Sequence, residues 1–187
     1  MRIVLMGPPG AGKGTQAVGL AAALGVPHIS TGDIFRSNVS GGTKLGQLAK
    51  TFMDAGEYVP DTVTNDMVRD RISQQDALEG FVLDGYPRTV AQVIELDNML
   101  ATQGHLVDSV IELEVDKKAV VERLLQRAAE QNRVDDSKEV LEHRLGVYAE
   151  QTAPLITAYQ ARGLLRSING MGSVDQVKQR LLAAVGL

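Results

Sequence analysis

The chain has 187 residues, 44% of them hydrophobic, which predicts one globular domain with a sizeable core. The formal net charge of −4 argues against broad binding to nucleic acid or to anionic membranes. The chain has no Cys, which excludes disulfides, thiol catalysis and thiolate zinc sites, and its apolar runs are too short to span a membrane. We therefore expect a cytoplasmic protein without a signal peptide, which binds neither nucleic acid nor membranes.

Apolar runs that are typical of strands alternate with helical patterns along the chain. The predicted strands are Arg2–Met6, Pro27–Ile29, Phe81–Asp84, Ser109–Val115 and Leu164–Ile168. The predicted helices are Lys13–Leu24, Gly32–Val39, Lys44–Ala55, Asp61–Ser73, Thr89–Gln103, Lys117–Ala129, Ser137–Tyr159 and Ser173–Val185. This alternation predicts an α/β fold, in which a five-stranded parallel sheet has helices on both faces and binds ligands at the carboxyl ends of its strands. Residues 30–60 and the polar stretch 128–136 depart from the alternation, and we expect both to lie over that edge.

A glycine-rich loop with a lysine, Gly7 to Thr15, follows the first strand and precedes the first helix. Its glycines allow the backbone to fold around an anion with its N–H groups turned inward, and the helix dipole adds positive potential. Lys13 can reach the outer phosphates of a nucleotide, and the Thr15 hydroxyl can bind Mg²⁺. The loop departs from the general pattern because Gly14 separates these two residues. A glycine-rich turn without a ligand is the alternative.

An aspartate and an arginine follow the third strand. Asp84 ends this strand, where its carboxylate could hold Mg²⁺ beside the loop, or could cap a turn. Arg88 follows a Gly-Tyr-Pro turn and can hold a phosphate through two parallel hydrogen bonds. Thr89 with Gln92 is also typical of a capping box, so periodicity alone leaves open whether Gln92 caps a helix or binds a base.

Further cations lie near the two unusual stretches. Ser30 or Thr31 is predicted to cap a helix, which would leave Arg36 on the surface. Four arginines surround the polar insert: Arg123, Arg127, Arg133 and Arg144. Taken singly, each of them is typical of a solvated residue on a helix face, but phosphoryl transfer requires several cations around the migrating group. His28, His105 and His143 are scattered and have no ligand spacing.

These motifs together resemble the adenylate kinase family, over nearly the whole chain. The matching segments are the loop Gly7–Gln16, His28–Asp33, Gly56–Asp61, Gly80–Gln92, Arg133–Asp136, Glu142–Leu145, Gln151–Ile156 and, more weakly, Asn169–Gly172. The resemblance implies a core of residues 1–29, 60–125 and 137–187, an AMP-binding insert at 30–59 and a short lid at 126–136. It also implies a monomer. Long-lid members often carry a Cys-rich zinc site, so a chain without Cys is similar to the short-lid form, without zinc.

The resemblance also implies a role for each matching residue. ATP would be bound by Gly10, Ala11, Gly12, Lys13, Gly14, Thr15, Arg123, Arg127 and Gly172. AMP would be bound by Thr31, Arg36, Glu57, Tyr58, Val59, Gly85, Tyr86, Pro87, Arg88, Gln92, Arg133 and Arg144. Catalysis would depend on Lys13, Arg88, Arg123, Arg127, Arg133 and Arg144, with Mg²⁺ held by Asp84 and Thr15 directly or through water. The implied reaction is reversible phosphoryl transfer from MgATP to AMP, which gives two ADP.

Two other functions remain open from the sequence. A UMP/CMP kinase would have the same fold, but such enzymes carry Ala in place of Thr31 and Asn in place of Thr89. A P-loop regulatory switch would bind nucleotide without fast turnover. It would need no second phosphate pocket, whereas this chain has six arginines available to form one.

Overall fold

The computed structural model describes residues 1–116, 118–124 and 138–187. Five strands form one parallel sheet: β1 (Arg2–Met6), β2 (His28–Ser30), β3 (Phe81–Asp84), β4 (Ser109–Glu114) and β5 (Leu165–Asn169). Their order is β2-β3-β1-β4-β5. The chain leaves β1 toward β2 and leaves β4 toward β5, on the opposite side. A crevice at the carboxyl ends of β1 and β4 is therefore the expected ligand site of this topology.

The described helices cover both faces of the sheet. They are α1 (Lys13–Leu24), α2 (Thr31–Ser40), α3 (Lys44–Ala55), α4 (Asp61–Ile72), α5 (Val90–Ala101), α6 (residues 118–124), α7 (Lys138–Val147), α8 (Ala153–Ala161) and α9 (Val174–Ala184). Three of them, α2 to α4, lie between the second and third strands. The predicted α/β class and all five strands are confirmed, and no strand bound differs from its prediction by more than one residue.

Side chains alternate between two cores, because successive residues of a strand point to opposite faces. Val4 and Met6 of β1 pack in the core that α4, α5 and α8 cover. Ile3 and Leu5 pack in the other core, against α1 and α9. A smaller cluster around Phe35 belongs to α2 and α3 and the residues that follow them. The sheet is thus buried on both faces, and its carboxyl edge remains open to a ligand.

The prediction of one continuous helix over Ser137–Tyr159 is wrong, because a short π-helix interrupts it. Residues Tyr148–Thr152 form a π-helix between α7 and α8, and the backbone N–H of Ala153 donates to the carbonyl of Tyr148, five residues earlier. Pro154 explains the interruption, because its nitrogen cannot donate and its ring would clash with the carbonyl four residues before it. The wider turn changes which side chains face inward, and Thr152 is buried there.

Among the described residues, no helix combines the length and the apolar character that crossing a bilayer requires.

Candidate active site

One cleft of about 830 Å³ lies at the carboxyl edge of the sheet. The strand register brings Leu5 of β1 and Ser30 of β2 alongside Asp84, the last residue of β3. The loops after these three strands therefore meet at one place. The cleft extends from the glycine-rich loop on one side to α2, the segment before α4 and the segment after β3 on the other.

The glycine-rich loop leads directly into α1 without a side-chain cap. Gly12 precedes the helix with a φ of 90°, a conformation that favours glycine, and α1 has no side-chain hydrogen bond at its start. The first N–H groups of the helix are thus available to an anion. Lys13 lies across the loop, where its Nζ donates to the carbonyls of Gly7 at 2.7 Å and Pro8 at 3.0 Å.

Helix α6 packs against the loop and contributes Arg123. A Cβ at Gly10 would lie 2.7 Å from Cγ of Leu124, so only glycine allows this close approach. The Arg123 guanidinium is 3.4 Å from the carbonyl of Ala11 and 3.3 Å from that of Gly170, in long hydrogen bonds. Arg123 therefore joins the loop to the segment after β5, and it lines the cleft.

Asp84 is an ionised carboxylate beside the loop. Burial by itself raises its pKa, but His28 and the positive charges of Lys13 and Arg88 outweigh burial and hold the pKa below its ordinary value. Nε2 of His28 lies 3.8 Å from Oδ2 of Asp84, beyond hydrogen-bond distance. A Cβ at Gly14 would lie 3.5 Å from the same oxygen, so the loop passes close to the carboxylate.

On the other side of the cleft, the turn after β3 positions a third cation, Arg88. Gly85 has a φ of 81°, and its carbonyl accepts hydrogen bonds from Oγ1 of Thr31 at 2.9 Å and Nε of Arg88 at 2.7 Å. The Tyr86–Pro87 peptide bond is cis. The side chain of Tyr86 is buried, and its hydroxyl contacts Asn65 and the carbonyl of Gln92, so only its backbone is available to a ligand.

Helix α2 contributes another cation to this side. Ser30 caps the helix, since its hydroxyl accepts from the N–H of Asp33. Arg36 lines the cleft and donates to Asp33 at 2.5 Å. Burial raises the pKa of Asp33, but the hydrogen bond and charge of Arg36 outweigh burial and lower it. Asp33 is therefore ionised at neutral pH, and its carboxylate pairs with the Arg36 guanidinium.

The end of the predicted insert contacts the π-helix and the Arg88 turn. The Tyr58 hydroxyl lies 2.8 Å from Oγ1 of Thr152, which donates to the carbonyl of Arg88 at 2.9 Å. The hydroxyl of Thr152 has only one proton, so the Tyr58 hydroxyl is the donor of the first bond. The Arg88 guanidinium also stacks 4.7 Å from the centre of the Tyr58 ring. One chain of contacts thus links Tyr58 of the predicted insert to Thr152 and Arg88.

Helix α7 closes the far side of the cleft. Nε2 of His143 lies 2.6 Å from Oε1 of Glu57, and a Cβ at Gly56 would lie 3.0 Å from Cγ of Arg144. Arg144 lines the cleft. This helix, which follows the polar stretch in sequence, therefore packs against the end of the predicted insert.

Comparison with known proteins agrees with this geometry. The sequence profile described as adenylate kinase matches residues 5–164. The chain is 56% identical to the adenylate kinase of Thermobifida fusca, over 99% of this chain and 98% of that protein. It is 57% identical to the adenylate kinase of a Nocardioides species, over 99% of this chain and 97% of the relative. The corresponding protein of Kocuria rhizophila is 54% identical, over 98% of each. The chain belongs to the adenylate kinase family. The resemblance predicted from its motifs is confirmed.

The adenylate kinase motifs converge in the described part of the chain. All the described residues to which the sequence assigned a role line the one cleft, from Gly10 of the loop to Gly172 after β5. Two arginines, Arg127 and Arg133, lie outside the described residues, as does the whole stretch 126–136 that was predicted to form the lid. The cleft also includes His28, Tyr148, Thr152 and Gly170, to which the sequence assigned no role. Thr152 lies in a matching segment, Gln151–Ile156, which was the one signal available for it.

Gln92 does not form the capping box that its spacing predicts. The Thr89 hydroxyl caps α5 by accepting from the N–H of Gln92 at 3.2 Å. The side chain of Gln92 instead accepts from the N–H of Arg88 and donates to Asp61, both at 2.7 Å. It is almost wholly buried, yet it lines the cleft. The alternative that the sequence left open, a side chain directed toward a base, is thus compatible with the structure.

Proposed function

We propose that this protein catalyses the reversible transfer of the terminal phosphoryl group of MgATP to AMP, which gives two ADP and balances the adenine nucleotide pool. The observation that supports this proposal is that one cleft joins the glycine-rich loop to a second set of cations. Lys13 and Arg123 line one side of the cleft, and Arg36 and Arg88 line the other. A nucleotide switch requires only the first set, whereas transfer between two nucleotides requires both.

The loop is proposed to hold ATP. Residues Gly10 to Thr15 surround its phosphates through backbone N–H groups and the start of α1, and Lys13 exchanges its loop carbonyls for phosphate oxygens. Arg123 is proposed to contact the transferred group. Gly172 lies near the start of α9, where its backbone approaches the adenine of ATP.

The opposite side is proposed to hold AMP. Arg36 and Arg88 bind its phosphate, and Gln92 binds the edge of its base. The remaining contacts come from Thr31, Glu57, Tyr58, Val59, Gly85, Tyr86, Pro87 and Arg144. Three contacts support this assignment: the Gly85 carbonyl accepts hydrogen bonds from both Thr31 and Arg88, and the Tyr58 ring stacks against the Arg88 guanidinium.

The residues present fit a magnesium ion that enters with ATP. Asp84 supplies a buried carboxylate and Thr15 an exposed hydroxyl beside the loop, the oxygen donors that Mg²⁺ prefers. Among the described residues there is no cluster of three or more His, Asp or Glu placed to hold a metal, so phosphate oxygens and water would complete the shell. When bound, the ion would neutralise part of the negative charge on the ATP phosphates.

The proposed chemistry is positioning and charge stabilisation. The acceptor oxygen of AMP belongs to a phosphate that is already anionic near neutral pH, so no strong general base is required. Lys13, Arg88, Arg123 and Arg144 stabilise the charge on the transferred group. Arg127 and Arg133 remain predictions for the same role.

The architecture around the site is also a proposal. Residues 30–59 form the AMP-binding insert, which the separate hydrophobic cluster of Phe35, Ala49 and Val59 supports. The remaining described residues form the core, and residues 126–136 form the short lid. We further propose a cytoplasmic monomer, because one chain supplies both sides of the cleft and its substrates are cytoplasmic nucleotides. Light scattering on the purified protein tests the monomer.

The decisive experiment mixes the purified protein with Mg²⁺, ATP and AMP and measures ADP by anion-exchange chromatography. Two ADP should form for each ATP consumed, and the reverse reaction should occur from ADP alone. Reactions that lack AMP, or that contain CMP or UMP in its place, serve as controls. Slow ATP hydrolysis that is independent of AMP would favour the switch, and faster turnover with CMP or UMP would favour the pyrimidine kinase.

A further inference from the structure

Asp61 lies in the first turn of α4, and its carboxylate accepts hydrogen bonds from Thr89 and from the side-chain amide of Gln92, the proposed base-binding group. Its Oδ1 accepts from Nε2 of Gln92 at 2.7 Å, and its Oδ2 accepts from the Thr89 hydroxyl at 2.8 Å. Thr89 in turn accepts from the backbone N–H of Gln92. Asp61 does not line the cleft, so it acts on a ligand only through Gln92.

The two hydrogen-bond partners of the Gln92 side chain, Asp61 and the backbone N–H of Arg88, have opposite hydrogen-bonding roles. A carboxylate only accepts hydrogen bonds, whereas the backbone N–H of Arg88 only donates. The amide therefore has one allowed orientation, with its NH₂ toward Asp61 and its oxygen toward Arg88. After a flip of the amide, oxygen would face the carboxylate and NH₂ would face the N–H. Two hydrogen bonds would become two repulsive contacts, at a site where Gln92 is 1% exposed.

The orientation determines which purine the amide can pair with. One N–H of Gln92 and one lone pair of its oxygen remain for a ligand. A 6-aminopurine edge offers an N–H donor at position 6 and an acceptor at N1, whereas a 6-oxopurine edge offers the same two groups in reverse order. A freely rotating amide could pair with either edge. A locked amide can pair with only one.

We propose that Asp61 is a positioning residue that locks the Gln92 amide and so selects AMP over 6-oxopurine monophosphates such as IMP. This inference rests on the proposed function, because it requires that Gln92 contacts the base of the acceptor. It adds a determinant of specificity that lies behind the binding surface, on a different helix.

The test is the ratio of kcat/KM for AMP to kcat/KM for IMP, with MgATP as donor. IMP differs from AMP at the 6 position and N1 only. Asp61→Asn should lower the ratio roughly tenfold, because an amide at position 61 can face either orientation of Gln92 and one charge-assisted hydrogen bond is lost. The Arg88 N–H still opposes the flip, so the ratio should remain above one.

A matched control is Asp66→Asn, the same substitution on the same helix. Asp66 is exposed and contacts Arg69, so its loss should leave the ratio unchanged. Asp61→Ser is a second variant, since a hydroxyl also donates and accepts. General loosening of the loop would lower the use of AMP and IMP together and leave their ratio constant, which would overturn the inference.

Gln92→Leu separates this inference from the function on which it rests. If Gln92→Leu leaves the ratio unchanged, Gln92 does not bind the base and that part of the proposed function fails. If Gln92→Leu lowers the ratio but neither Asp61 variant does, only the lock is refuted. If the lock is correct, Asp61→Asn should have no further effect on the ratio in the Gln92→Leu background.

Discussion

Gly85→Ala should disrupt the proposed AMP site, because the turn after β3 has no room for a side chain. With a φ of 81°, a new Cβ would be strained, and it would lie 2.7 Å from Oγ1 of Thr31 and 2.9 Å from Nη2 of Arg88. Strain in the left-handed region costs about 1–2 kcal/mol, and overpacking adds about 1–3 kcal/mol. The two neighbours that would move are those that the Gly85 carbonyl holds in place.

Gly104→Ala is the matched control. Gly104 follows α5 with a φ of 73° and has open space where a Cβ would be added, so it shares the strain without the clash. Thermal unfolding should show a loss of about 1–2 kcal/mol for Gly104→Ala and about 2–5 kcal/mol for Gly85→Ala. Displacement of Arg88 should lower kcat/KM for AMP on the order of a hundred- to a thousandfold, with little change in the KM for ATP. If both variants retain equal stability and full activity, the assignment of this turn to the acceptor site is wrong.

Four further results are expected. Lys13→Met should lower kcat about a hundred- to a thousandfold without a loss of folded structure by circular dichroism, because the loop conformation depends on glycines and backbone; near-normal turnover would refute the loop assignment. AMP should be preferred over CMP and UMP in kcat/KM, and equal use of all three would contradict the proposed acceptor. Thr152→Val should raise the KM for AMP and lower the free energy of unfolding by about 1–3 kcal/mol, because the Tyr58 hydroxyl and the Arg88 carbonyl lose their hydrogen-bond partner. An unchanged KM would show that this chain of contacts does not position Arg88. A strong chelator should leave the melting temperature unchanged without nucleotide and Mg²⁺, because the chain has no Cys; a large drop would reveal a structural metal.

The loop, the strands and the identity of the family were predictable because their signals are local. Gly12 and Lys13 lie next to each other in sequence, and a strand buried on both faces is a continuous apolar run such as Ile3 to Met6. The helix over Ser137–Tyr159 was predicted as continuous because its apolar periodicity persists across Pro154. The π-helix spans only five residues, too few for a shift of the apolar pattern to stand out in the sequence, so periodicity did not reveal it.

The sequence by itself determined the fold class and the glycine-rich loop motif, because both depend on short spacings, and its resemblance to a family predicted the residues of a two-nucleotide site. Tertiary structure alone decided how the residues act on one another. Asp61 and Gln92 are 31 positions apart, and Tyr58 and Thr152 are 94 apart. No local pattern predicts such pairs, because they depend on how helices from different parts of the chain pack over one edge of the sheet. Thr89 followed by Gln92 indicated a capping box, yet the Gln92 side chain accepts from the N–H of Arg88, not of Thr89, and donates to a carboxylate from another helix.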